Sequence, residues 1–203
     1  MSQFRIHGVF HIKTGDLAQQ DKNMHKDLIE KCRAGDRKAQ FEIYKLYYKA
    51  MYNTSLRITN NPTVAEDLMQ ESFLKAFQNI GQFGEKASFG AWLKRIVINN
   101  SIDHLRSGYP NVSSIEEEEY ADLPATMGED HHEVLSFKID RIRKIIEELP
   151  EKYRVVVSLH LLEGYDHQEI ADVLGISYDN ARARYSRAKK TILKNLTELE
   201  KSN

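Results

Sequence analysis

Apolar residues recur every three or four positions in several stretches of the chain, which is the spacing that places them on one face of an α-helix. The first clear stretch contains Val64, Leu68, Met69, Phe73, Ala76, Phe77 and Ile80. No stretch shows a sustained alternation of apolar and polar residues, which is the period of a half-buried strand. The pattern therefore predicts an all-α protein.

The helix through these positions has two possible starts, which are the pair Asn61-Pro62 and a capping box from Thr63 to Glu66. A second helix is predicted from about Ser88 to Arg106, after a short loop at residues 81–87. Its apolar face holds Phe89, Trp92, Leu93, Ile96 and Val97, and its polar positions are Lys94, Arg95, Asn99, Asp103 and Arg106.

The last third of the chain predicts a helix-turn-helix. An apolar stripe of Ile139, Ile142, Ile145, Ile146 and Leu149 ends at Pro150, and a helix from Tyr153 to Leu162 follows. Asp166 and Glu169 have capping-box spacing, and Gly175 is a stop signal. Ser177 can then cap a helix through Ala181, Tyr185, Ala188 and Leu193. Two helices joined by a few residues that include glycine define the motif.

The charge distribution divides the chain into parts. Residues 107–137 contain eight acidic residues and neither lysine nor arginine, together with two prolines and two glycines. Such a segment repels itself and supports no apolar stripe, so we predict a flexible acidic linker. It joins two small helical domains at 26–106 and 138–203, and residues 1–25 are expected to be a tail, with Met24 a possible true start.

Several classes of protein are disfavoured. The apolar runs are far below the roughly 18 residues of a membrane span, and the N-terminus does not resemble a secretory signal, so a cytoplasmic location without membrane insertion is expected. The only cysteine, Cys32, is expected to be a small buried side chain. We expect no enzyme, cofactor or metal site, because no nucleotide-binding or nucleophile motif occurs and the histidine pairs at 7/11 and 131/132 lack a third ligand.

The predicted final helix is strongly basic. Between residues 177 and 194 it has one acid, Asp179, and six basic residues, namely Arg182, Arg184, Arg187, Lys189, Lys190 and Lys194. Charge alone is also typical of a solvated helix face. In combination with the helix-turn-helix, it favours binding in the major groove of DNA.

The first domain combines aromatic and cationic side chains beside a glycine-containing loop, which suits unpaired bases. However, the spacing of Phe89 and Trp92 favours a core position for both rings. The polar residues Asp67, Gln70 and Glu71 are, on spacing alone, equally compatible with a solvated helix surface.

The motifs taken together resemble the extracytoplasmic-function (ECF) sigma factors of bacterial RNA polymerase. Residues 65–73 (AEDLMQESF) are similar to the family stretch AEDLVQETF, and Phe89, Trp92, Leu93, Ile96, Asn99, Asp103 and Arg106 match the signature that closes the same domain. Residues 149–154, 169–177 and 186–188 resemble the second domain. Departures are Asp166 for serine or threonine, Asn180-Ala181 for Thr-Val, and Ala183 for serine; Asn180 leaves the promoter sequence preference open.

The resemblance implies a two-domain sigma factor and a set of site residues. Core polymerase would bind Asp67, Gln70 and Glu71. The minus-ten element would be bound by Gln82, Phe83, Lys86, Ser88, Trp92, Arg95, Asn99, Asp103 and Arg106. The minus-thirty-five element would be bound by Ser177, Tyr178, Asn180, Arg182, Arg184, Ser186 and Arg187.

The resemblance also implies partners beyond the promoter DNA and core RNA polymerase. An anti-sigma factor, often membrane-anchored in this family, would restrain the protein. The acidic linker would thread the RNA path of polymerase, although a plain tether explains it equally well. Two rivals remain, a DNA-binding regulator that recruits no polymerase and a helical interaction protein that binds no DNA.

Overall fold

The computed structural model describes residues 26–84, 87–108 and 141–201, and within these ranges the chain forms helices and turns without a strand. The all-α prediction is therefore confirmed. The chain divides into two compact units, with the boundary between Leu105 and Arg106. The predicted tail, Lys86 and most of the predicted acidic linker lie outside the described residues.

The first unit contains four α-helices. They are α1 (Lys26–Arg33), α2 (Arg37–Thr59), α3 (Pro62–Gln78) and α4 (Phe89–Gly108), and a 3-10 turn at Ile80–Gln82 follows α3. The last three residues of α4 lie beyond the boundary of the unit. The predicted helix around residues 64–80 thus ends at Gln78, and Ile80 is buried from the 3-10 turn instead. Helix α4 continues two residues beyond the end predicted at Arg106.

The start of α3 distinguishes between the two caps that the sequence offered. The side-chain oxygen of Asn61 accepts hydrogen bonds from the backbone N–H groups of Thr63 (3.1 Å) and Val64 (3.2 Å), and Pro62 occupies the first helical position. Proline suits this position because its missing donor would have no helical partner there. Asn61-Pro62 is therefore the start, and Thr63 lies inside the helix.

The core of the first unit lies between α2, α3 and α4. Met51, Met69, Phe73, Leu93 and Val97 are buried there, and Cys32 joins them at 2% exposure, as predicted. Burial raises the pKa of the Cys32 thiol to about 11, so it stays protonated and acts as a small apolar side chain.

A buried amide joins α3 to α4. The side-chain nitrogen of Asn100 donates to the Leu68 carbonyl (3.3 Å), the Glu71 carboxylate (3.2 Å) and the Ser72 hydroxyl (3.3 Å). Its oxygen accepts from Lys75 Nζ at 2.6 Å. Because a buried amide without such partners would be costly, this arrangement fixes how the two helices face each other.

The second unit begins, within the described residues, with helix α5 at 141–148. It continues with α6 (Glu151–Val157), α7 (His167–Leu174) and α8 (Tyr178–Lys201). The predicted helix from Tyr153 to Leu162 is present, but its second half, Ser158–Leu162, is a π-helix. The sequence pattern gave no sign of this wider turn.

The core of the second unit corrects one predicted position. Ala188 and Ile192 are buried against Ile145, Ile146, Leu149 and Val157, whereas Leu193 is 39% exposed. Leu193 follows Ala188 by five residues, which rotates it away from the face that Ala181 and Ala188 share. Ile192, four residues after Ala188, takes the buried position.

Arg154 is a buried cation of the second unit that the sequence did not single out. Only 7% of the residue is exposed, and its guanidinium donates to the Leu149 carbonyl at 3.2 Å, across the break at Pro150. Burial lowers the pKa of Arg154. The contact satisfies a carbonyl at the end of α5.

Among the described helices none is long and apolar enough to span a membrane. Within the same residues, no cluster of histidine, cysteine or carboxylate side chains could hold a metal ion.

Candidate nucleic-acid interface

Helix α3 presents a polar face to solvent. Asp67, Gln70 and Glu71 are exposed, while the neighbouring Leu68, Met69 and Ser72 are buried. The three exposed residues follow one another at helical spacing, so they share the side of α3 opposite the core. The structure thus brings together the three residues that the resemblance assigns to core polymerase.

Glu71 differs from Asp67 because it also takes part in the packing of α3 on α4. Its carboxylate accepts from Lys75 at 3.0 Å and from Asn100 at 3.2 Å. These hydrogen bonds, with Lys75 the stronger influence, lower the pKa of Glu71. A substitution at Glu71 therefore disturbs the domain as well as its surface, and Asp67 is the cleaner probe of a surface contact.

Three aromatic rings meet where the loop after α3 enters α4. The Phe83 ring lies 5.5 Å from Phe89 and 5.4 Å from Trp92, and the last two are 5.5 Å apart. Arg33 donates to the Phe83 carbonyl at 2.7 Å and so ties this loop to α1. Phe89 is 2% exposed, which confirms its core position, and Trp92 is partly buried.

Two of the nine predicted minus-ten residues have structural roles. Phe83 is 7% exposed within the aromatic group, and Ser88 is 7% exposed and accepts a hydrogen bond from the N–H of Ala91 at 3.2 Å, as an N-cap. Burial leaves little of either residue for DNA to contact. Gln82 is exposed, and its side chain donates to Asn79 Oδ1 at 3.1 Å.

A stripe of the remaining candidates runs along α4. Its members lie within about 80° of one another around the helix axis. They are Trp92, Arg95, Asn99, Asp103 and Arg106, and all except Trp92 are exposed. We call this set the α4 stripe. The family motif predicted its members individually, and the unbroken helix Phe89–Gly108 places them on one side of α4.

The predicted helix-turn-helix is present with both of its caps. The Glu169 N–H donates to Asp166 Oδ1 and the Asp166 N–H donates to the Glu169 carboxylate, each at 2.8 Å, which completes the capping box. Gly175 ends α7 at φ 65°, a left-handed conformation that favours glycine. The Ser177 hydroxyl then accepts from the Asn180 N–H at 3.2 Å and caps α8.

The predicted DNA-contacting residues of α8 divide into two groups. Tyr178, Arg182, Ser186 and Arg187 are exposed. Arg184 is half-buried, and its Nε donates to Asn180 Oδ1 at 2.9 Å, so these two side chains hold each other. Burial lowers the pKa of Arg184. Arg182 and Arg187 are therefore the freer of the three arginines to contact a nucleic acid.

An aromatic cluster that the sequence did not reveal supports the turn. His160 in the π-helix stacks on His167 with ring centroids 4.6 Å apart, and Tyr185 of α8 lies 4.4 Å from His160 and 5.3 Å from His167. His160 Nδ1 lies 2.8 Å from the Tyr165 carbonyl. The wider π turn carries His160 to this position, so no helical spacing in the sequence indicated the contact.

This cluster predicts a loss of stability in mild acid. Burial is the main cause that lowers the pKa of His167 below its ordinary 6.5; His160 and Arg182 lower it further, and Asp166 opposes them. His167 Nδ1 is buried and no partner among the described residues bonds to it. The unfolded chain therefore binds a proton at His167 more readily than the folded chain does. The stability that neutral His167 contributes is present above pH ~6.5 and is lost as the pH falls through the folded-state pKa.

The measurement is the thermal unfolding midpoint, followed by circular dichroism at pH 7.5 and pH 5.5. The unfolding midpoint of the native chain should fall further between the two pH values than that of the His167→Phe variant. The variant keeps an aromatic ring at this position, but that ring cannot titrate. Equal losses in both proteins would show that His167 does not cause the effect.

Two family profiles match the two units. Sigma-70 region 2 matches residues 43–109, and Sigma-70 region 4 matches residues 139–192. The first match contains the polar face of α3 and the α4 stripe, and the second contains the helix-turn-helix.

Curated relatives agree with these matches. The ECF RNA polymerase sigma factor SigW of Bacillus subtilis is 29% identical over 184 residues, which cover 87% of this chain and 98% of the relative. The RNA polymerase sigma-H factor of Pseudomonas aeruginosa is 29% identical over 183 residues, covering 86% and 94%. A solved structure of sigma factor RpoE from Bartonella quintana, in complex with the anti-sigma factor NepR, has 21% identity and a TM-score of 0.49, covering 77% and 95%.

The chain therefore belongs to the sigma-70 family of transcription initiation factors, whose region 4 recognises the minus-thirty-five element. Within that family it is an extracytoplasmic-function sigma factor, which binds core RNA polymerase and directs promoter-specific initiation.

Proposed function

We propose that this sigma factor divides its contacts among three exposed surfaces. The polar face of α3 binds core polymerase, Gln82 and the α4 stripe bind the minus-ten element, and the exposed residues of α8 bind the minus-thirty-five element. The observation that carries the proposal is that the residues of each set are exposed on the surface of their own unit, with Trp92 as the one partly buried member.

The chemistry of each surface supports its assignment. Trp92 offers a partly exposed ring on which an unpaired base can stack, and Arg95 and Arg106 can neutralise the backbone of an opened strand. Lys86 belongs to the same predicted set by its place in the sequence, between Gln82 and Ser88. On α8, Arg182 and Arg187 can bind guanine edges or phosphates, while Arg184 orients the Asn180 amide. Phe83 and Ser88 then act by shaping the loop, not by contacting DNA.

The remaining assignments are part of the same proposal. The protein acts by binding alone, without catalytic activity or a cofactor, and it works in the cytoplasm, where polymerase is. An anti-sigma factor restrains it, and the family resemblance favours a membrane-anchored one. The acidic residues between 107 and 137 repel DNA and suit either the RNA path of polymerase or a tether.

Transcription from a fragmented genomic library tests the division of contacts. Purified core polymerase is used with and without this protein, and the start sites that depend on the protein are mapped. We expect dependent start sites that share two upstream elements. Holoenzymes carrying Trp92→Ala or Arg182→Ala should then lose discrimination at the minus-ten and the minus-thirty-five element respectively. Loss at the other element would contradict the assignment of that surface.

Charge reversal at Asp67 should weaken core polymerase binding without unfolding the domain. In Asp67→Lys, an exposed carboxylate becomes a cation at the proposed interface, and we expect at least a tenfold higher Kd in a titration with labelled protein, an effect that decreases with added salt. The control is Asp27→Lys, the same change on α1, where the carboxylate is 79% exposed. An unchanged affinity for Asp67→Lys would refute the assignment.

A further inference from the structure

The outward face of α3 has an apolar centre. Of the large apolar side chains that the structure describes, Leu74 is the most exposed, at 63%. It follows Gln70 by four residues and Glu71 by three, and it lies on the side of α3 opposite the buried Ala65 and Ala76. The face assigned to core polymerase therefore has Leu74 at its centre and the polar residues Asp67, Gln70 and Glu71 around it as a rim.

Aromatic rings lie beside Leu74 where α3 packs on α2. The rings of Tyr48, Tyr44, Phe73 and Phe77 follow one another along the seam between α2 and α3, with successive centroids 5.6, 5.0 and 6.0 Å apart. Phe77 is the neighbour of Leu74 one turn along α3. Phe41, one turn before Tyr44 on α2, is 58% exposed. Phe73 itself is buried at 3% exposure, so the apolar surface beside the polar rim consists of Leu74, Phe41 and the partly buried rings of Tyr44, Tyr48 and Phe77. Single exposed apolar residues are ordinary, but a group of them beside a polar rim is typical of an interaction site.

We propose that Leu74 is the apolar anchor of the core polymerase interface, with Phe41 extending the contact across the seam between α2 and α3. The inference rests on the proposed function, because the occupant is the partner assigned to Asp67, Gln70 and Glu71. Protein interfaces bury an apolar centre within a polar rim, and a few central residues supply most of the affinity. The acidic rim further requires that the recess receiving Leu74 be flanked by basic side chains.

The test compares two exposed leucines of the same domain. Leu74→Ser should raise the Kd for core polymerase at least tenfold, and Leu74→Met should leave it within twofold because a flexible apolar side chain remains. The control is Leu46→Ser: Leu46 is 51% exposed on α2, but it lies two residues after Tyr44 and so is rotated about 200° away from the seam. Thermal unfolding of each variant checks that the domain is intact.

The salt dependence of the Kd distinguishes the contribution of the apolar anchor from that of the charged rim. The rise in Kd caused by Leu74→Ser should be the same at about 100 mM and about 500 mM salt. The rise caused by Asp67→Lys should be smaller at the higher salt concentration. An unchanged Kd for Leu74→Ser with a weakened Asp67→Lys would overturn this inference and leave the proposed function standing. Unchanged values for both would overturn the proposed function. Altered self-association of the Leu74→Ser chain with unchanged polymerase affinity would show that a second copy, not polymerase, covers this face.

Discussion

Asn100→Leu is expected to lower the free energy of unfolding of the first domain by about 2 to 3 kcal/mol. The substitution keeps the branched arrangement of side-chain heavy atoms but removes the donors to Leu68, Glu71 and Ser72 and the acceptor for Lys75. Two of these partners are charged, and hydrogen bonds to charged groups contribute more than neutral ones. For a domain with marginal stability, the loss is a large fraction of the total.

The measurement is urea unfolding followed by tryptophan fluorescence. Trp92 is the only tryptophan of the chain, and it lies against Phe83 and Phe89, so its signal reports on the first domain alone. The neighbouring residue supplies a matched control. Asn99 is exposed on the α4 stripe, and Asn99→Leu should change the unfolding free energy by less than about 0.5 kcal/mol. If the two variants unfold alike, Asn100 does not hold α3 against α4.

The combined substitution of Arg182 and Arg187 by glutamate should reduce binding of the reconstituted holoenzyme to a dependent promoter at least a hundredfold. Each arginine that contacts a base edge or a phosphate contributes roughly 1 to 3 kcal/mol, and reversal adds repulsion from the phosphates. Both side chains are exposed on α8, so the fold of the domain should be retained. The measurement is promoter binding at several salt concentrations, in which the salt dependence should also decrease.

Two comparisons make this result specific. Arg143→Glu with Lys144→Glu applies the same charge change to exposed residues of α5 in the same domain, and we expect a much smaller loss. Arg184→Ala should instead lower the thermal midpoint as well as DNA binding, because Arg184 is half-buried and bonded to Asn180. Equal losses from the α5 and α8 pairs would mean that net charge, not the position on α8, determines promoter binding.

Local sequence determined the elements whose signals lie within a few residues. Asp166, Glu169 and Gly175 specify the bounds of α7 by short-range hydrogen bonds and one left-handed residue, so the helix-turn-helix was predictable. Helical spacing likewise placed Asp67, Gln70 and Glu71 on one face, since a helix has a fixed period. The choice between Asn61 and Thr63 as the cap of α3 was not decidable locally, because both have suitable side chains.

What only the tertiary structure decided involves residues far apart in the chain. The Arg33 contact with the Phe83 carbonyl spans 50 residues, and the network around Asn100 spans about 30. The π turn at Ser158–Leu162, which brings His160 onto His167, has no periodic signature. Sequence therefore determined the helices, the caps of the helix-turn-helix and the family motifs. Packing between helices decided which motif residues are buried, such as Phe83 and Ser88, and which remain exposed, because burial depends on neighbours that local spacing cannot specify.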